Sequence, residues 1–478
     1  MKIELFTLNG SFAHSNLAMR CLKTALEEAG YTAVHCTEAT LRDRTASVLA
    51  RLVEADAALY SFSCYIWNIK EMLVLASDLK TVRPNCKIVF GGPEVSFDTA
   101  RFTSLDFIDT VIMGEGEHAI VTLAAALKQG QTLPKLLHGT PDNDFTTRGT
   151  HYAPNEPISS LVYYESSRGC PFSCAFCLSS VTAGVRAKSA EKTLADLLEF
   201  EKFEQPLTVK LVDRTFNFDR ARANAIWQGL LSPRYTKCYH FEIAASLLDE
   251  ESFAILRQFP KGKIRLEIGL QSTNEETLAA ISRRQSAMGT LTAARRLKEA
   301  GNLHVHLDLI AGLPFEDYRS FARSFDAAYH HCDVLQLGFL KLLPGTALRR
   351  DAAKHGILYS ATPPYTVLST KWLSFAELDR LHGISDILDR LHEKGRFAHT
   401  LHFILSHITS PFSFYEGFLD YCNKVDGRAL QKISQRDLFS LVCAFGKTLI
   451  APDLHAEFLR YLEADFSAAE VRRPPKFQ

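Results

Sequence analysis

Residues 161–177, LVYYESSRGCPFSCAFC, place three cysteines directly after a short strand pattern. The run LVYYES predicts a β-strand, and the Gly and Pro that flank Cys170 predict a loop after it. Cys170, Cys174 and Cys177 follow within eight positions, in the spacing C-x3-C-x2-C. A loop with this spacing lets each thiolate reach a different corner of one compact metal centre.

The strand before the cysteines is the first of six strand patterns, each followed by a segment of helical periodicity. Six βα units in succession predict a partial (βα)6 barrel of the TIM type over residues 161–360. Functional groups in such barrels collect on the loops at the carboxyl ends of the strands, and the cysteine loop lies at that position. The six patterns are LVYYES (161–166), LTVKLVD (207–213), YHFEIAA (239–245), IRLEIGL (264–270), HVHLDLIAG (304–312) and VLQLGFLKLL (334–343).

Residues 1–130, before the barrel, also alternate strand and helix patterns. KIELFTL, AALYSFS and KIVFGG are strands with helical segments between them, which predicts a doubly wound, Rossmann-like (flavodoxin-like) α/β domain. Residues 131–160 lose periodicity and gather Pro, Gly, Asn and Thr, so they are predicted to be a linker. Residues 361–478 are predicted to form a mostly helical domain rich in Phe, His and Leu.

Composition narrows the class of protein. The 478 residues hold 54 Lys and Arg against 54 Asp and Glu, a balance that argues against nucleic acid as a partner. No apolar run reaches membrane-spanning length, and the start MKIELFTLNG reads as a strand rather than a signal sequence. Eleven cysteines without a secretory signal predict reduced thiols, so the expected location is the cytoplasm.

Two kinds of metal centre suit the cysteine loop. Structural zinc takes four ligands, usually from two cysteine pairs, and no second pair stands in this sequence, although Cys238 or a histidine could supply a fourth ligand. A [4Fe–4S] cluster held by only three thiolates keeps one iron open to another ligand. The second interpretation makes the loop a functional site.

With Phe176 before the last cysteine, after the first strand of a βα barrel, this motif resembles that of the radical S-adenosylmethionine (SAM) superfamily. The resemblance implies that Cys170, Cys174 and Cys177 bind a [4Fe–4S] cluster, whose open iron binds the amino and carboxylate groups of SAM. Electron transfer from the cluster would then cleave SAM to methionine and a 5′-deoxyadenosyl radical. A reducing partner such as a flavodoxin or ferredoxin is implied with it.

Further SAM contacts are expected at the ends of later strands. VDRTFNFD after the second strand offers Asp213, Thr215 and Asn217, although it is not the Gly-Gly-Glu type of loop that many relatives carry there. The remaining expected SAM contacts, from the segments LEIGLQS and DLIAGLP, are Glu267, Gln271, Ser272, Ile310 and Gly312. Gln271 and Ser272 could alternatively begin a turn and cap the next helix.

Doubly wound domains bind ligands outside the carboxyl ends of their strands. Such a domain directly before a radical SAM barrel resembles the cobalamin-dependent (class B-like) radical SAM family, in the branch with a C-terminal helical domain of unknown function. The resemblance implies that the nucleotide tail of cobalamin inserts beside the sheet and that the corrin faces the barrel. The residues expected to contact cobalamin are Asn9, Ser61, Ser63, Tyr65, Gly91, Gly92, Glu94 and Gly114.

The Asp-x-His-x-x-Gly signature of a histidine ligand to cobalt is missing from this sequence. We therefore expect cobalamin without a protein histidine below the cobalt, with His14 as a minor alternative. Tyr65 and Trp67 could approach the lower face of the corrin, or could instead anchor the following helix in the core.

The resemblance implies methylation of an unactivated carbon of a small molecule or natural product, using a 5′-deoxyadenosyl radical and methylcobalamin. Two alternatives stay open at this point. One is a rearrangement or cyclisation with the same cofactors, and the other is a cobalamin-binding regulatory protein whose cluster is structural. The aromatic and histidine residues of the helical region could line a pocket, but helical spacing favours core packing for each of them.

Overall fold

This computed structural model describes residues 1–153, 156, 158–181, 184–205, 207–425 and 432–469. Outside the described residues lie 154, 155 and 157 of the predicted linker, 182, 183 and 206 of the predicted barrel, and 426–431 and 470–478 of the predicted helical domain. Two compact units divide the chain. The first holds the described residues of Met1–Arg265 with Lys341–Arg350 and Ser360–Thr366, and the second holds Leu266–Leu340, Asp351–Tyr359 and the described residues from 367 onward.

The first unit begins with a six-stranded parallel sheet in the order β2-β1-β3-β4-β5-β6, which confirms the predicted doubly wound domain. Its strands are β1 (Ile3–Asn9), β2 (Val34–Thr40), β3 (Leu59–Ser63), β4 (Lys87–Gly91), β5 (Thr110–Met113) and β6 (Leu136–His138). Its helices are α1 (Leu17–Glu28), α2 (Thr45–Ala55), α3 (Ile69–Val82), α4 (Thr99–Thr103) and α5 (Glu117–Lys128).

Helices cover both faces of this sheet because its central strands are apolar on both sides. Ile3 and Leu5 point toward α1 and α5, and Phe6 and Leu8 point toward α2 and α3. A parallel sheet buried in this way holds its strand-end loops together at one edge.

One strand lies within the stretch predicted as a linker. β6 pairs with β5 and closes the edge of the sheet. An edge strand needs only one partner, so three residues suffice, and a segment of that length shows no period-2 pattern in the sequence.

The first unit continues with three parallel strands in the order β11-β10-β7 and a separate antiparallel ribbon of two short strands, β8 and β9. The ribbon closes the base of the cysteine loop. The strands are β7 (Leu161–Tyr164), β8 (Ser167–Gly169), β9 (Val185–Ala187), β10 (Thr208–Leu211) and β11 (Cys238–Ile243), and the helices are α6 (Ala190–Glu199), α7 (Arg220–Leu230) and α8 (Glu250–Leu256).

The chain passes from the first unit to the second within β12 (Ile264–Gln271). The second unit contains β13 (His304–Ala311) and β14 (Val334–Phe339), which pair in parallel. The chain thus forms six βα units in sequence, as predicted for the barrel. The helices are α9 (Glu275–Ala280), α10 (Ala287–Glu299) and α11 (Tyr318–Tyr329), followed by α12 (Ala347–Arg350), which belongs to the first unit.

The remainder is mostly helical, as predicted, and begins with a small antiparallel pair of strands. Phe412, Phe414 and Tyr415 are buried, which is the core packing that their helical spacing favours. The elements are β15 (Leu358–Tyr359), β16 (Val367–Ser369), α13 (Phe375–Leu388), α14 (Ala398–Leu405), α15 (Pro411–Val425), α16 (Gln435–Leu449) and α17 (His455–Ala468).

Candidate functional site

The cysteine loop leaves the ribbon at Gly169 and carries the three predicted ligands as thiols. Cys174 is buried, and Cys170 and Cys177 are half-buried. A tight turn joins two of them, since the Cys177 amide donates to the Cys174 carbonyl at 3.1 Å. Thiols that share one loop and reach its surface suit a cluster that must meet a substrate.

The other thiols have a different environment. Burial raises the pKa of Cys21, Cys64 and Cys332, so these groups stay protonated and inert. Their burial sets them apart from the half-buried Cys170 and Cys177 of the cysteine loop.

Thr215 is the predicted polar residue that the structure brings to the cysteine loop. Its Oγ1 lies 3.4 Å from the Sγ of Cys170. Phe176 is half-buried beside Cys177, and the preceding carbonyl, of Ala175, accepts a hydrogen bond of 2.8 Å from the amide of Leu348 at the start of α12. The loop therefore contacts both the segment that follows β10 and helix α12.

Asp213 supports the approach to this loop. Its carboxylate is fully buried and accepts hydrogen bonds from the hydroxyls of Ser166, at 3.0 Å, and Ser167. Arg222 donates to the Ser166 hydroxyl at 2.8 Å and to the Lys188 carbonyl at 2.7 Å. These contacts fix the segment that leads into the cysteines, and a SAM contact from Asp213 stays a prediction.

Asn217 makes a pair of hydrogen bonds with the backbone of Ala244. Its amide donates to the Ala244 carbonyl and accepts from the Ala244 amide, both at 2.9 Å. The side chain is buried by this pairing, which ties the loop after β10 to the end of β11. Its predicted contact with SAM also stays a prediction.

In the N-terminal doubly wound domain, the sheet face that packs against α1 and α5 changes in chemical character along the strands. Parallel pairing places alternate residues of β1, β3 and β4 on that face. Its half toward the amino ends of the strands is aliphatic and packs as core, with Ile3, Leu5, Leu59 and Val89. Its half toward the carboxyl ends carries small or polar residues, and these are Thr7, Asn9, Ser61, Ser63 and Gly91. We call this second half the small-residue face.

These side chains are short, and Thr7, Asn9, Ser61 and Ser63 are all buried. A cofactor tail bearing many hydrogen-bonding groups fits such a lining better than it fits an aliphatic core. The hydroxyls of Ser61 and Ser63 therefore match the group that the sequence resemblance implies, by the chemistry of the residues present. The Asn9 amide nitrogen already donates to the His14 carbonyl at 3.0 Å and to Glu38 Oε2 at 2.5 Å.

The exposed edge of this domain carries aromatic rings. Tyr65 and Trp67 stack with ring centroids 4.3 Å apart, and the Trp67 ring is 49% exposed. Phe12, in the loop after β1, is 84% exposed. Large exposed apolar groups at a ligand-binding edge suit a flat macrocycle such as a corrin.

His14 lies in the same loop. Its Nδ1 is 2.6 Å from the hydroxyl of Tyr163 on β7, and the two rings are nearly parallel. Burial raises the pKa of Tyr163, so the phenol stays a hydrogen-bonding group. This contact holds the imidazole against the strand.

Two loop glycines have internal reasons for their identity. Gly92 has φ +111°, and an added Cβ would lie 2.5 Å from the Cys64 carbonyl oxygen. Gly114 has φ +97°, and its added Cβ would lie 3.2 Å from the Gly139 carbonyl oxygen. Glycine is required at both positions because the backbone of a neighbouring loop passes close by. Contacts of Gly92 and Gly114 with cobalamin stay predictions.

Glu94 is buried beside a residue far away in the sequence. The Tyr365 hydroxyl donates to its Oε1, and burial raises the pKa of the Glu94 carboxyl. This contact lies within the first unit, because Tyr365 belongs to the short segment Ser360–Thr366. Nothing in the local sequence around either residue indicates their pairing.

The second unit contains the remaining predicted SAM contacts. Gln271 ends β12 with φ +71°, and Gly312 has φ +93° just after β13. Ile310 and Glu267 are half-buried on β13 and β12. Gln271, Ile310 and Gly312 lie at or next to the carboxyl ends of their strands, whereas Glu267 lies in the middle of β12. Their contacts with SAM stay predictions.

Ser272 has two contacts. Its hydroxyl donates to Glu316 Oε1 at 2.6 Å and accepts from the Asn274 amide at 2.9 Å. The turn that the sequence offered as an alternative role is therefore present, while Asn274 itself caps α9. Glu316 is fully buried, and burial raises its pKa to about 7.

Known protein families match three parts of the chain. A B12 binding domain matches residues 5–124, a radical SAM superfamily domain matches residues 164–328, and a protein family of unknown function matches residues 353–476. The chain therefore has the combination of a B12-binding domain and a radical SAM domain that is found in cobalamin-dependent radical SAM proteins. Its B12-binding and radical SAM domains imply a [4Fe–4S] cluster, SAM and cobalamin.

Several curated relatives are methyltransferases. The chain is 26% identical to the cobalamin-dependent radical SAM methyltransferase TokK of Streptomyces tokunonensis, over 61% of this chain and 48% of that protein. It is 23% identical to an uncharacterized methyltransferase of Pyrococcus horikoshii, over 74% of this chain and 81% of that protein. The chain spans about half the length of the first of these relatives.

Solved structures share the fold. The cobalamin-dependent SAM radical enzyme OxsB, with aqua-cobalamin and SAM bound, matches with a TM-score of 0.68 at 14% identity, over 99% of this chain and 82% of that one. The radical SAM methyltransferase TsrM of Kitasatospora setae matches with a TM-score of 0.64 at 16% identity, over 87% of this chain and 98% of that one. Across the described ranges, no helix of this chain is long and apolar enough to span a membrane.

Proposed function

We propose that this cobalamin-dependent radical SAM protein is a methyltransferase that acts on an unactivated carbon of a small molecule. One observation carries the proposal: in a single compact unit, a loop bearing three cysteine thiols adjoins a B12-binding domain with a small-residue face. When bound, the cluster with SAM supplies a 5′-deoxyadenosyl radical, and cobalamin supplies the methyl group. The methyltransferase names of the relatives support the same reaction class.

The residues of the chain have distinct tasks in this proposal. Cys170, Cys174 and Cys177 hold three irons, and Thr215 lies beside the first of these ligands. Asp213 fixes the segment leading to them through Ser166 and Ser167. The protein contributes position and a water-poor environment, because the cofactors perform the difficult chemistry.

Cobalamin would be held at two places. Asn9, Ser61 and Ser63 would meet the tail at the small-residue face, while Tyr65 and Trp67 would meet the corrin with their rings. Apolar contact below the cobalt favours low coordination there. We therefore propose that no protein histidine ligates the cobalt, a view supported by the contact of His14 with Tyr163.

The cobalt ligand has a spectroscopic test. A nitrogen ligand splits the electron paramagnetic resonance (EPR) lines of cob(II)alamin into triplets, whereas water or an empty position does not. We expect lines without nitrogen splitting in the wild-type protein. Triplet lines that disappear in His14→Ala would establish His14 as the ligand and overturn this part of the proposal.

The reaction is tested by anaerobic reconstitution with iron, sulfide and hydroxocobalamin, followed by addition of SAM, a low-potential reductant and candidate small molecules. We expect retained corrin, 5′-deoxyadenosine and a product heavier by one methylene. A product of unchanged or rearranged mass would favour the rearrangement, and no 5′-deoxyadenosine at all would favour a regulatory role.

A pair of cysteine variants isolates the cluster. Cys174→Ala removes a predicted ligand, and Cys36→Ala removes an exposed thiol on β2 as the matched control. We expect loss of SAM cleavage in the first variant alone. SAM cleavage that survives in Cys174→Ala would overturn the cluster assignment.

A further inference from the structure

Two arginines lie side by side at the base of the cysteine loop. Arg168 of β8 and Arg186 of β9 are directly opposite each other in the antiparallel ribbon. Both bind the same carboxylate: Arg168 Nη1 lies 2.7 Å from Glu115 Oε2, and Arg186 Nη2 donates to Glu115 Oε1. Glu115 belongs to the loop after β5, at the carboxyl edge of the B12-binding domain.

Arg168 uses every nitrogen of its guanidinium. Besides Glu115, it binds Glu117 at 2.6 Å through Nη2 and Glu165 at 2.8 Å through Nε. Only 13% of its side chain is exposed. Burial alone would lower the pKa of Arg168, but Glu165 and Glu117 outweigh that effect and raise it, so the charge is permanent.

The same carboxylate receives a third donor. The Asp142 amide donates to Glu115 Oε2 at 2.8 Å, and Arg186 Nη1 donates to the Asp142 carbonyl at 2.7 Å. The buried ring of Phe145 lies 4.8 Å from the Arg168 guanidinium carbon. Glu115 thus joins the ribbon, the B12-binding domain and the segment after β6.

An isolated ribbon of three residue pairs is not stable in water, so its orientation depends on what holds it. Two of the three carboxylates on Arg168 come from the B12-binding domain, and these pairs are largely buried. Buried charge pairs tolerate little displacement, because moving one partner leaves the other unpaired at low dielectric. We call Arg168, Arg186, Glu115 and Glu117 the arginine clamp.

We propose that the arginine clamp is a positioning device that fixes the cysteine loop against the B12-binding domain, so that the cluster and the corrin keep a constant separation. Arg168 and Glu115 are then positioning residues that touch neither cofactor. The inference rests on the proposed function only where 5′-deoxyadenosine is measured per methylated product. The EPR measurement of the distance between cluster and cobalt requires only that both cofactors are bound.

Glu115→Gln is the sharpest variant, because it removes a charge that lies outside the cysteine loop. Lys80→Met is the matched control: the Lys80 side chain is 19% exposed and its carboxylate partner is Asp109, which lies before the amino end of β5 and outside the clamp. Each variant is reconstituted with cluster and cobalamin and then reduced to cob(II)alamin and the paramagnetic cluster. The microwave power that half-saturates the cob(II)alamin EPR signal reports its distance from the fast-relaxing cluster.

We expect Glu115→Gln to shift this half-saturation power while Lys80→Met leaves it unchanged. With substrate present, we expect Glu115→Gln to form at least about tenfold more 5′-deoxyadenosine per product, because a displacement of about 1 Å costs up to about 100-fold in rate. Arg168→Lys should behave as Glu115→Gln does, since one ammonium cannot replace the forked contacts.

Two results would overturn the proposed role of the arginine clamp. Wild-type values of both readouts in Glu115→Gln and Arg168→Lys would overturn the proposal. Loss of the cluster together with loss of secondary structure in both variants would assign the clamp to fold stability and also overturn it. A wild-type protein that never methylates would end the proposed function, yet the EPR comparison would still test the clamp.

Discussion

Replacement of Glu316 by Gln should remove a pH dependence from the stability of the second unit. The carboxyl is fully buried, and its Oε1 accepts from Ser272 at 2.6 Å and from Ser324 at 3.2 Å. No hydrogen-bond partner of its Oε2 lies among the described residues. Burial raises the pKa of Glu316 from 4.5 to about 7.

The raised pKa of Glu316 sets the direction and the size of the pH dependence of stability. Between pH 4.5 and 7 the folded chain keeps a proton that the unfolded chain releases, so stability falls as pH rises through this window. Above about pH 7 this contribution is constant. One pKa unit corresponds to about 1.4 kcal/mol, so the full shift corresponds to about 3 kcal/mol. Glutamine carries no titratable proton and should abolish the effect.

Hydrogen exchange followed by mass spectrometry provides the assay. Peptides from β13 and α11, corrected for intrinsic exchange, should show an opening free energy that falls between pH 5 and 7 in the wild type. The same quantity should be flat in Glu316→Gln. Glu299→Gln, which changes an exposed carboxylate of α10, is the control and should keep the wild-type slope. A wild-type slope in Glu316→Gln would refute the reasoning.

Three further predictions concern the first unit. Trp67→Ala should weaken cobalamin retention measured by absorbance after gel filtration, because it removes the exposed ring of the Tyr65 stack; unchanged retention would exclude this contact. Gly92→Ala should lower the melting temperature through about 1–3 kcal/mol of strain, and more than Gly30→Ala, whose added Cβ meets nothing within 4 Å. Asp213→Ala should speed proteolysis within the cysteine loop, and equal cleavage rates would contradict its supporting role.

The architecture was predictable because its signals are local. Alternating strand and helix patterns, such as the one from Ile3 to Glu28, follow from burial on both faces of a parallel sheet. The cysteine motif was equally accessible, since three ligands of one metal centre stand within eight positions. The small-residue face was also accessible from the sequence. Side chains alternate between the two faces of a strand, so Ser61 and Ser63 must lie on the same side of β3.

The clamp and the buried carboxyls were not predictable from the sequence. Arg168 and Glu115 are 53 positions apart, and each reads as an ordinary surface charge when taken alone. Tyr365 meets Glu94 across 271 positions. Asp213 stands at a strand end, where a ligand contact is a reasonable expectation, but only coordinates reveal Ser166 and Ser167 at its oxygens.

If cobalamin binds at the small-residue face as proposed, the amount of folded protein should depend on the supply of this cofactor. The part of the sheet surface near the amino ends of the strands packs as aliphatic core, whereas the small-residue face carries short and polar side chains, so a cobalamin tail bound there would add contacts that the chain alone does not make. A ligand that binds only the folded state stabilises it by about 2.7 kcal/mol at a hundredfold excess over its dissociation constant. Cells grown without cobalamin should therefore degrade this protein faster, before any reaction is attempted.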